Sequence, residues 1–295
     1  MRVFSRISIC CLFLLFVNPA FSQAQGDSCP LASKTMDVDG GAIHFYEGGS
    51  GQPILLLHGL FAQKEQWMDV GCALASKGFD VIVPDLPGYG ASNGFPVTAY
   101  ALDSQVNLLH TLMSRLGKQR IHIAGSSMGG AIAALYAMKY PEEIKTLAFI
   151  GAPLGIVGWS PQVRKAIFQG VNPFIPINQE QFDLEMRLLF FQPPTIDEGI
   201  KVKLIQEYVE NNRHYQQVWD IVNLYVYSLD GMKIQNTRTL ILWGEQDGIF
   251  SIDGLPHLKK VLKNSQAVAF PDAAHLLMLE QPKKVVKLYD AFLRQ

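Results

Sequence analysis

The sequence has 295 residues, a formal net charge of −1 and a pI of about 6.7. With 48% hydrophobic residues it is long and apolar enough for one α/β domain with a large core and an insertion. Near-neutral charge without a basic patch or an acidic run gives no electrostatic basis for a nucleic-acid partner.

The chain opens on Arg2 and Arg6, an apolar run over 7–17, a break at Asn18-Pro19 and the small residues of Ala20-Phe21-Ser22. That order is the pattern of a secretory signal. The apolar run is shorter than the roughly 20 residues that span a bilayer. Residues 1–22 are therefore expected to be removed on export, to the periplasm or outside the cell, with retention as a membrane anchor as the alternative. Gly26-Asp27-Ser28 before Cys29 is a poor lipoprotein cleavage motif. Removal of the signal leaves Cys29 and Cys72. An oxidising compartment permits them to pair, but pairing needs a short Cα separation that sequence cannot supply, and two free thiols are the expectation.

Residues 35–47 read as a hairpin turning at Asp39-Gly40-Gly41. Apolar runs at 53–57, 80–83, 120–124, 145–150, 238–243 and 267–270 read as strands, and 281–293 as a closing amphipathic helix with Pro282 in its first turn. Alternation of such strands with helical stretches predicts a mostly parallel sheet with helices on both faces. The stretch between the strands at 145–150 and 238–243 is far too long for a simple connection. Helical patterns at 163–170, 179–191, 196–211 and 214–228 predict an inserted helical cap over residues 154–232. The core is then 35–153 and 233–295. The cap is placed over the carboxyl ends of the strands, where open α/β sheets bind ligands.

Gly125-Ser126-Ser127-Met128-Gly129 is G-x-S-x-G between an apolar strand and a helix rich in alanine. That is the context of a nucleophile elbow, where bulk two residues to either side of the serine would collide. Ser127 is the candidate nucleophile; Ser126 is a rival hydroxyl outside the middle of the pattern. A serine needs a base, and in this arrangement the chain order is serine, acid, histidine. Asp247, in Trp243-Gly244-Glu245-Gln246-Asp247, and His275, in Ala273-Ala274-His275, each lie just past a predicted strand. Glu245 is the competing acid. The other histidines are read as structural, and no metal-ligand spacing is present. After the 53–57 strand, His58-Gly59-Leu60-Phe61 offers a loop whose backbone faces the serine. Leu60 and Met128 N–H groups are the expected oxyanion hole, with Phe61 as an alternative donor. His58 and Asp85 are read as structural.

Taken together, His58-Gly59, Asp85-Leu86-Pro87-Gly88-Tyr89-Gly90, Gly125 to Gly130, Trp243 to Asp247 and Ala274-His275 resemble the capped α/β-hydrolases over about residues 35–294. Asn172-Pro173-Phe174-Ile175-Pro176, the 179–189 helix and Ser228-Leu229-Asp230-Gly231 are similar to the monoacylglycerol lipases and bacterial lipases of that family. The resemblance implies the α/β-hydrolase fold, hydrolysis of glycerol esters of fatty acids without a cofactor, and a small ester or lipid as partner. Peripheral membrane contact is left open. Phe61, Phe174 and Phe190 are the expected substrate-binding residues, in a cap rich in bulky apolar side chains that also serve its own core. Carbon–carbon bond hydrolases of ring-cleavage products and acyltransferases use the same three residues; a silent lipid carrier is the non-enzyme alternative. Dehalogenases and epoxide hydrolases of this fold use an aspartate where Ser127 stands.

Overall fold

The computed structural model describes residues 29–225, 233–234 and 237–295. The signal segment at 1–22, the end of the 214–228 helix and the Ser228-to-Gly231 motif lie outside them. The sheet has eight strands: β1 (Ala32–Val38), β2 (Gly41–Gly49), β3 (Pro53–Leu57), β4 (Asp80–Pro84), β5 (Ile121–Ser127), β6 (Ile144–Pro153), β7 (Arg238–Gly244) and β8 (Ser265–Phe270). Their order is β1-β2-β4-β3-β5-β6-β7-β8. The β1–β2 and β2–β4 pairings are antiparallel, and every other pairing is parallel.

Burial explains which strands read clearly in the sequence. β3, β4, β5 and β7 are buried along nearly their whole length, so their residues are apolar on both faces. β2 alternates, and β1 is mostly exposed. Successive residues of a strand point to opposite sides. Leu55 and Leu57 enter one core, under α2 (Leu102–Arg115) and α3 (Met128–Lys139). Ile54 and Leu56 enter the other, with α1 (Met68–Ser76) and a C-terminal helix over Pro282–Leu293. In that last helix Val285, Val286, Tyr289, Phe292 and Leu293 are buried, a stripe with helical spacing.

Between β6 and β7 the chain forms α4 (Pro161–Phe168), α5 (Gln179–Leu189), α6 (Glu198–Glu210) and α7 (Asn212–Tyr225). The first three have side-chain caps: Ser160 accepts from Val163 N, Asn178 from Gln181 N, and Asp197 from Gly199 N and Ile200 N. These oxygens satisfy N–H groups that lack an intrahelical acceptor. α8 (Leu255–Val261) lies between β7 and β8; α9 (Leu277–Glu280) and α10 (Pro282–Leu293) close the chain.

The expectation of two free thiols is corrected. Cys29 and Cys72 form a disulfide with a Cα separation of 5.1 Å. The chain just before β1 lies against β2 and α1: a Cβ at Gly48 would sit 2.0 Å from the Pro30 carbonyl oxygen, and one at Gly71 would sit 3.1 Å from Leu31. That close lateral packing, set by the hairpin, brings Cys29 to α1. The bridge closes a sequence separation of 43 residues, which corresponds to about 4 kcal/mol of chain entropy removed from the unfolded state. Cys72→Ser is expected to lower unfolding stability by roughly 2–4 kcal/mol in urea melts, and reductant is expected to lower wild type but not the variant.

Candidate functional site

Ser127 ends β5 and caps α3, with φ 53° and ψ −117°. This backbone region costs a residue with a side chain on the order of 1–3 kcal/mol. The turn is made possible by its neighbours. A Cβ at Gly125 would fall 2.1 Å from the Gly129 carbonyl oxygen. One at Gly129 would fall 2.2 Å from Leu57 O and 2.5 Å from His58 O. These are backbone atoms of α3, of β3 and of the residue after β3, and cannot step aside. Gly129→Ala is therefore expected to cost more than about 2 kcal/mol in a urea melt; a variant as stable as wild type would contradict this packing. Ser126, the rival hydroxyl, is fully buried, whereas Ser127 is partly exposed.

Asp247 and His275 lie past the ends of β7 and β8, on the same sheet edge as Ser127. The two are joined: His275 Nδ1 donates to Asp247 Oδ2 at 2.9 Å. Trp243 Nε1 donates to the same oxygen at 3.1 Å, while Ile249 N and Phe250 N donate to Oδ1 at 2.8 and 3.0 Å. Four donors around a buried carboxylate fix its plane. Glu245, the competing acid, is exposed. The His275 loop and the serine turn meet at Gly151, where an added Cβ would sit 2.8 Å from His275 O and 3.1 Å from Ser126 Oγ. Ser127 Oγ and the imidazole share no hydrogen bond among the described residues.

Contacts invisible in the sequence hold both loops. Gly248 N donates to Leu188 O, and His275 N donates to Leu189 O, both carbonyls at the end of α5. Glu280 accepts from Ala274 N at 2.8 Å and from Phe191 N at 2.8 Å. Burial raises the Glu280 carboxyl, and these two N–H groups oppose the rise. Glu280 stood in the sequence as an ordinary residue of the C-terminal segment, with no local signal for this role.

The loop after β3 is held just as firmly. Leu86 N donates to His58 Nε2 at 2.9 Å, so the proton sits on Nδ1, which donates to Gly59 O at 2.8 Å. Burial pushes the His58 imidazole down to about 4, against Asp85 and the Gly59 carbonyl, so the ring is a neutral strut. Gln66, which sequence reasoning passed over, accepts from Gly59 N at 3.1 Å. Asp85 is fully buried and accepts from Lys64 N, Lys64 Nζ and Ala91 N. Burial alone would lower the Lys64 ammonium; Asp85 and Glu65 raise it instead. A Cβ at Gly59, the residue before Leu60, would sit 3.4 Å from Ser127 Cβ. Met128 is the first residue of α3, where an N–H has no intrahelical acceptor. Phe61 is held at φ 55°.

A cleft of about 100 Å3 lies against Leu60, Phe61 and Leu276, the residue after His275, with α5, α6 and α7 on its other side. Phe61 lines it and meets the Tyr215 ring edge-on at 5.1 Å. Phe174 stands elsewhere, stacked with Trp219 at 5.3 Å and beside Trp159 at 5.4 Å. Phe190 is buried in the core on the other face of the sheet from α3. Other histidines have structural partners: His122 with Thr146, His214 with the Gly88 carbonyl, His110 with Glu143. Among the described residues no group of three or more His, Cys, Asp or Glu is placed to hold a metal ion.

Comparison with known proteins agrees with this architecture. The model of the alpha/beta hydrolase fold family matches residues 52–189 and 190–282. Lipase 3 of Moraxella sp. (strain TA144) is 32% identical over 250 residues, covering 82% of this chain and 78% of its own. Monoacylglycerol lipase ABHD6 of Mus musculus is 28% identical over 254 residues, covering 81% of this chain and 75% of its own. The crystal structure of a membrane phospholipase A, a bacterial virulence factor, superimposes with a TM-score of 0.84 at 27% identity, over 97% of this chain and 92% of that one. The chain belongs to the α/β-hydrolase family.

Proposed function

We propose that this carboxylic ester hydrolase acts on monoacylglycerol-like or other apolar acyl esters, with Ser127 as nucleophile, His275 as base and Asp247 as the acid that orients the base. The observation that carries the assignment is the His275–Asp247 hydrogen bond at the same sheet edge as a serine in a strained, positive-φ turn. With Nδ1 bonded to the carboxylate, His275 keeps Nε2 free to take a proton. His275 takes the Ser127 proton as Oγ attacks the ester carbonyl. The oxyanion is held by Leu60 and Met128 N–H. His275 then protonates the departing alcohol, and a water activated by the same ring releases the acid. The missing Ser127–His275 hydrogen bond fits this scheme, because such contacts are often long until substrate binds. The lipase and monoacylglycerol lipase similarities support an apolar acyl group on a small alcohol.

The inserted helices, over residues 154–232, act as a cap that walls the cleft, with Phe61 on the core side. Phe174 and Phe190 do not line that cleft; Phe174 packs with Trp159 and Trp219, and Phe190 is buried in the core. The disulfide favours an oxidising compartment, in keeping with export through the N-terminal segment. No helix of the described residues is long and apolar enough to cross a membrane. Peripheral contact with a lipid surface has support in the Phe168 side chain, 92% exposed at the end of α4.

A fluorophosphonate probe is expected to label wild type at Ser127, and a panel of p-nitrophenyl esters of rising chain length with monoacylglycerols is expected to show ester turnover. Labelling without turnover of any ester would favour an acyltransferase or a carbon–carbon bond hydrolase. No labelling would favour a lipid carrier and remove the assignment.

A further inference from the structure

The cleft beside Phe61 is largely apolar, yet it holds a polar atom with nothing to bond. Glu185, on α5, lines the cleft and is only 5% exposed. Its Oε1 receives a long hydrogen bond from Tyr208 Oη at 3.4 Å. Its Oε2 is buried without a hydrogen-bond partner. An unpaired buried carboxyl oxygen is destabilising, and native structures rarely keep one that nothing satisfies. The location suggests what does. Leu60 follows Gly59, whose added Cβ would sit 3.4 Å from Ser127 Cβ, and Leu276 follows His275; both leucines line the same cleft. The cleft therefore adjoins the segments that carry the proposed nucleophile and base. The cleft, at about 100 Å3, has room for a small alcohol, and a second cavity of about 260 Å3 adjoins it, sharing Phe61, Ala62, Glu207 and Tyr215.

We propose that Glu185 binds a hydroxyl group of the alcohol part of the ester, and so makes the cleft select neutral, hydroxyl-bearing alcohols. The inference rests on the assignment of Ser127 and His275 above. Burial pushes the Glu185 carboxyl up to about 8, against the Tyr208 hydrogen bond. Near neutral pH the carboxyl therefore keeps its proton, and can donate one hydrogen bond while accepting another. A polyol offers both partners. Glu207 lines the same cleft and is likewise raised, by burial and then by Glu210. Among the described residues the lining holds two carboxyl groups, Glu185 and Glu207, and no lysine, arginine or histidine, while His214 lines the adjoining cavity; that lining favours a neutral alcohol over a phosphorylated one.

The test is a pair of esters with one acyl chain, the glyceryl monoester and the propyl ester, which lacks both hydroxyls. Wild type is expected to prefer the glyceryl ester by roughly tenfold in kcat/KM, the worth of one well-made hydrogen bond. Glu185→Leu is expected to abolish that preference by slowing the glyceryl ester alone. Glu185→Gln, which still donates and accepts, is expected to keep most of it. A wild-type ratio near one would overturn the proposal whichever variants fold, as would a Glu185→Leu protein slowed equally on both esters. If thermal melts show the leucine variant unfolded, Glu185→Ala, which only removes atoms, is read in its place. The propyl ester tests the underlying assignment separately: it does not use Glu185, so its continued hydrolysis by Ser127→Ala would refute the nucleophile and not the alcohol site.

Discussion

Ser127→Ala is expected to lose roughly 10^4- to 10^6-fold in kcat on any ester the wild type hydrolyses, while its melting temperature stays the same or rises. The rate loss follows from chemistry: without Oγ there is no acyl-enzyme, and only the binding and oxyanion groups remain. The stability expectation follows from the turn. The Ser127 side chain makes no capping hydrogen bond to α3, so its removal leaves no helix N–H newly unsatisfied. Alanine at φ 53° is no more strained than serine. Initial rates on a p-nitrophenyl ester, beside a thermal melt, check both halves. Activity within tenfold of wild type, in a protein free of wild-type contamination, would remove Ser127 from the reaction.

The second large effect is at Asp247. Asp247→Asn is expected to lower kcat by about 10^3- to 10^4-fold and stability by roughly 1–3 kcal/mol. The environment of the carboxylate gives the reason. Ile249 N and Phe250 N both point at Oδ1, so an amide there keeps its oxygen toward them and turns its NH2 to the other side. That NH2 then faces His275 Nδ1 and Trp243 Nε1, both of which donate in the wild type. Donor against donor drives the imidazole proton to Nε2, where the ring can no longer take one from Ser127. Trp243 is fully buried, and its Nε1–H is left without an acceptor. A loss smaller than tenfold would shift the acidic role to Glu280, whose carboxylate also acts on His275 electrostatically.

Much of the candidate site's geometry could be read from the chain because its motifs are local. G-x-S-x-G announces a turn whose sterics forbid side chains at Gly125 and Gly129. Asp247 and His275 each follow a run apolar enough to mark a strand buried on both faces, and strand order then puts all three on one edge. The four inserted helices were legible from periodicity, though α4 begins two residues earlier than read, at the Ser160 cap. The less legible contacts are long-range and made by unremarkable residues. Cys29 meets Cys72 only because Pro30 and Leu31 nest on glycines of β2 and α1. Gln66 and Glu280 bond to backbone N–H groups, which leave no trace in a side-chain pattern. Glu185 looks like a solvent-facing residue on an amphipathic helix until α6 and α7 cover it. Phe174 is read at the substrate from cap composition, and composition does not distinguish that role from its stack with Trp159 and Trp219.

The carbonyl groups at the end of α5 have a consequence for engineering. Leu188 and Leu189 grip the Asp247 and His275 loops directly, and Glu280 ties Phe191 to Ala274. The inserted segment is thus not a detachable cover hinged at its two ends. Residues 188–191 belong mechanically to the loops beneath. Grafting the segment from a relative to change substrate preference should retain this four-residue stretch, because a transplant that shifts it would displace the acceptors of the Gly248 and His275 N–H groups.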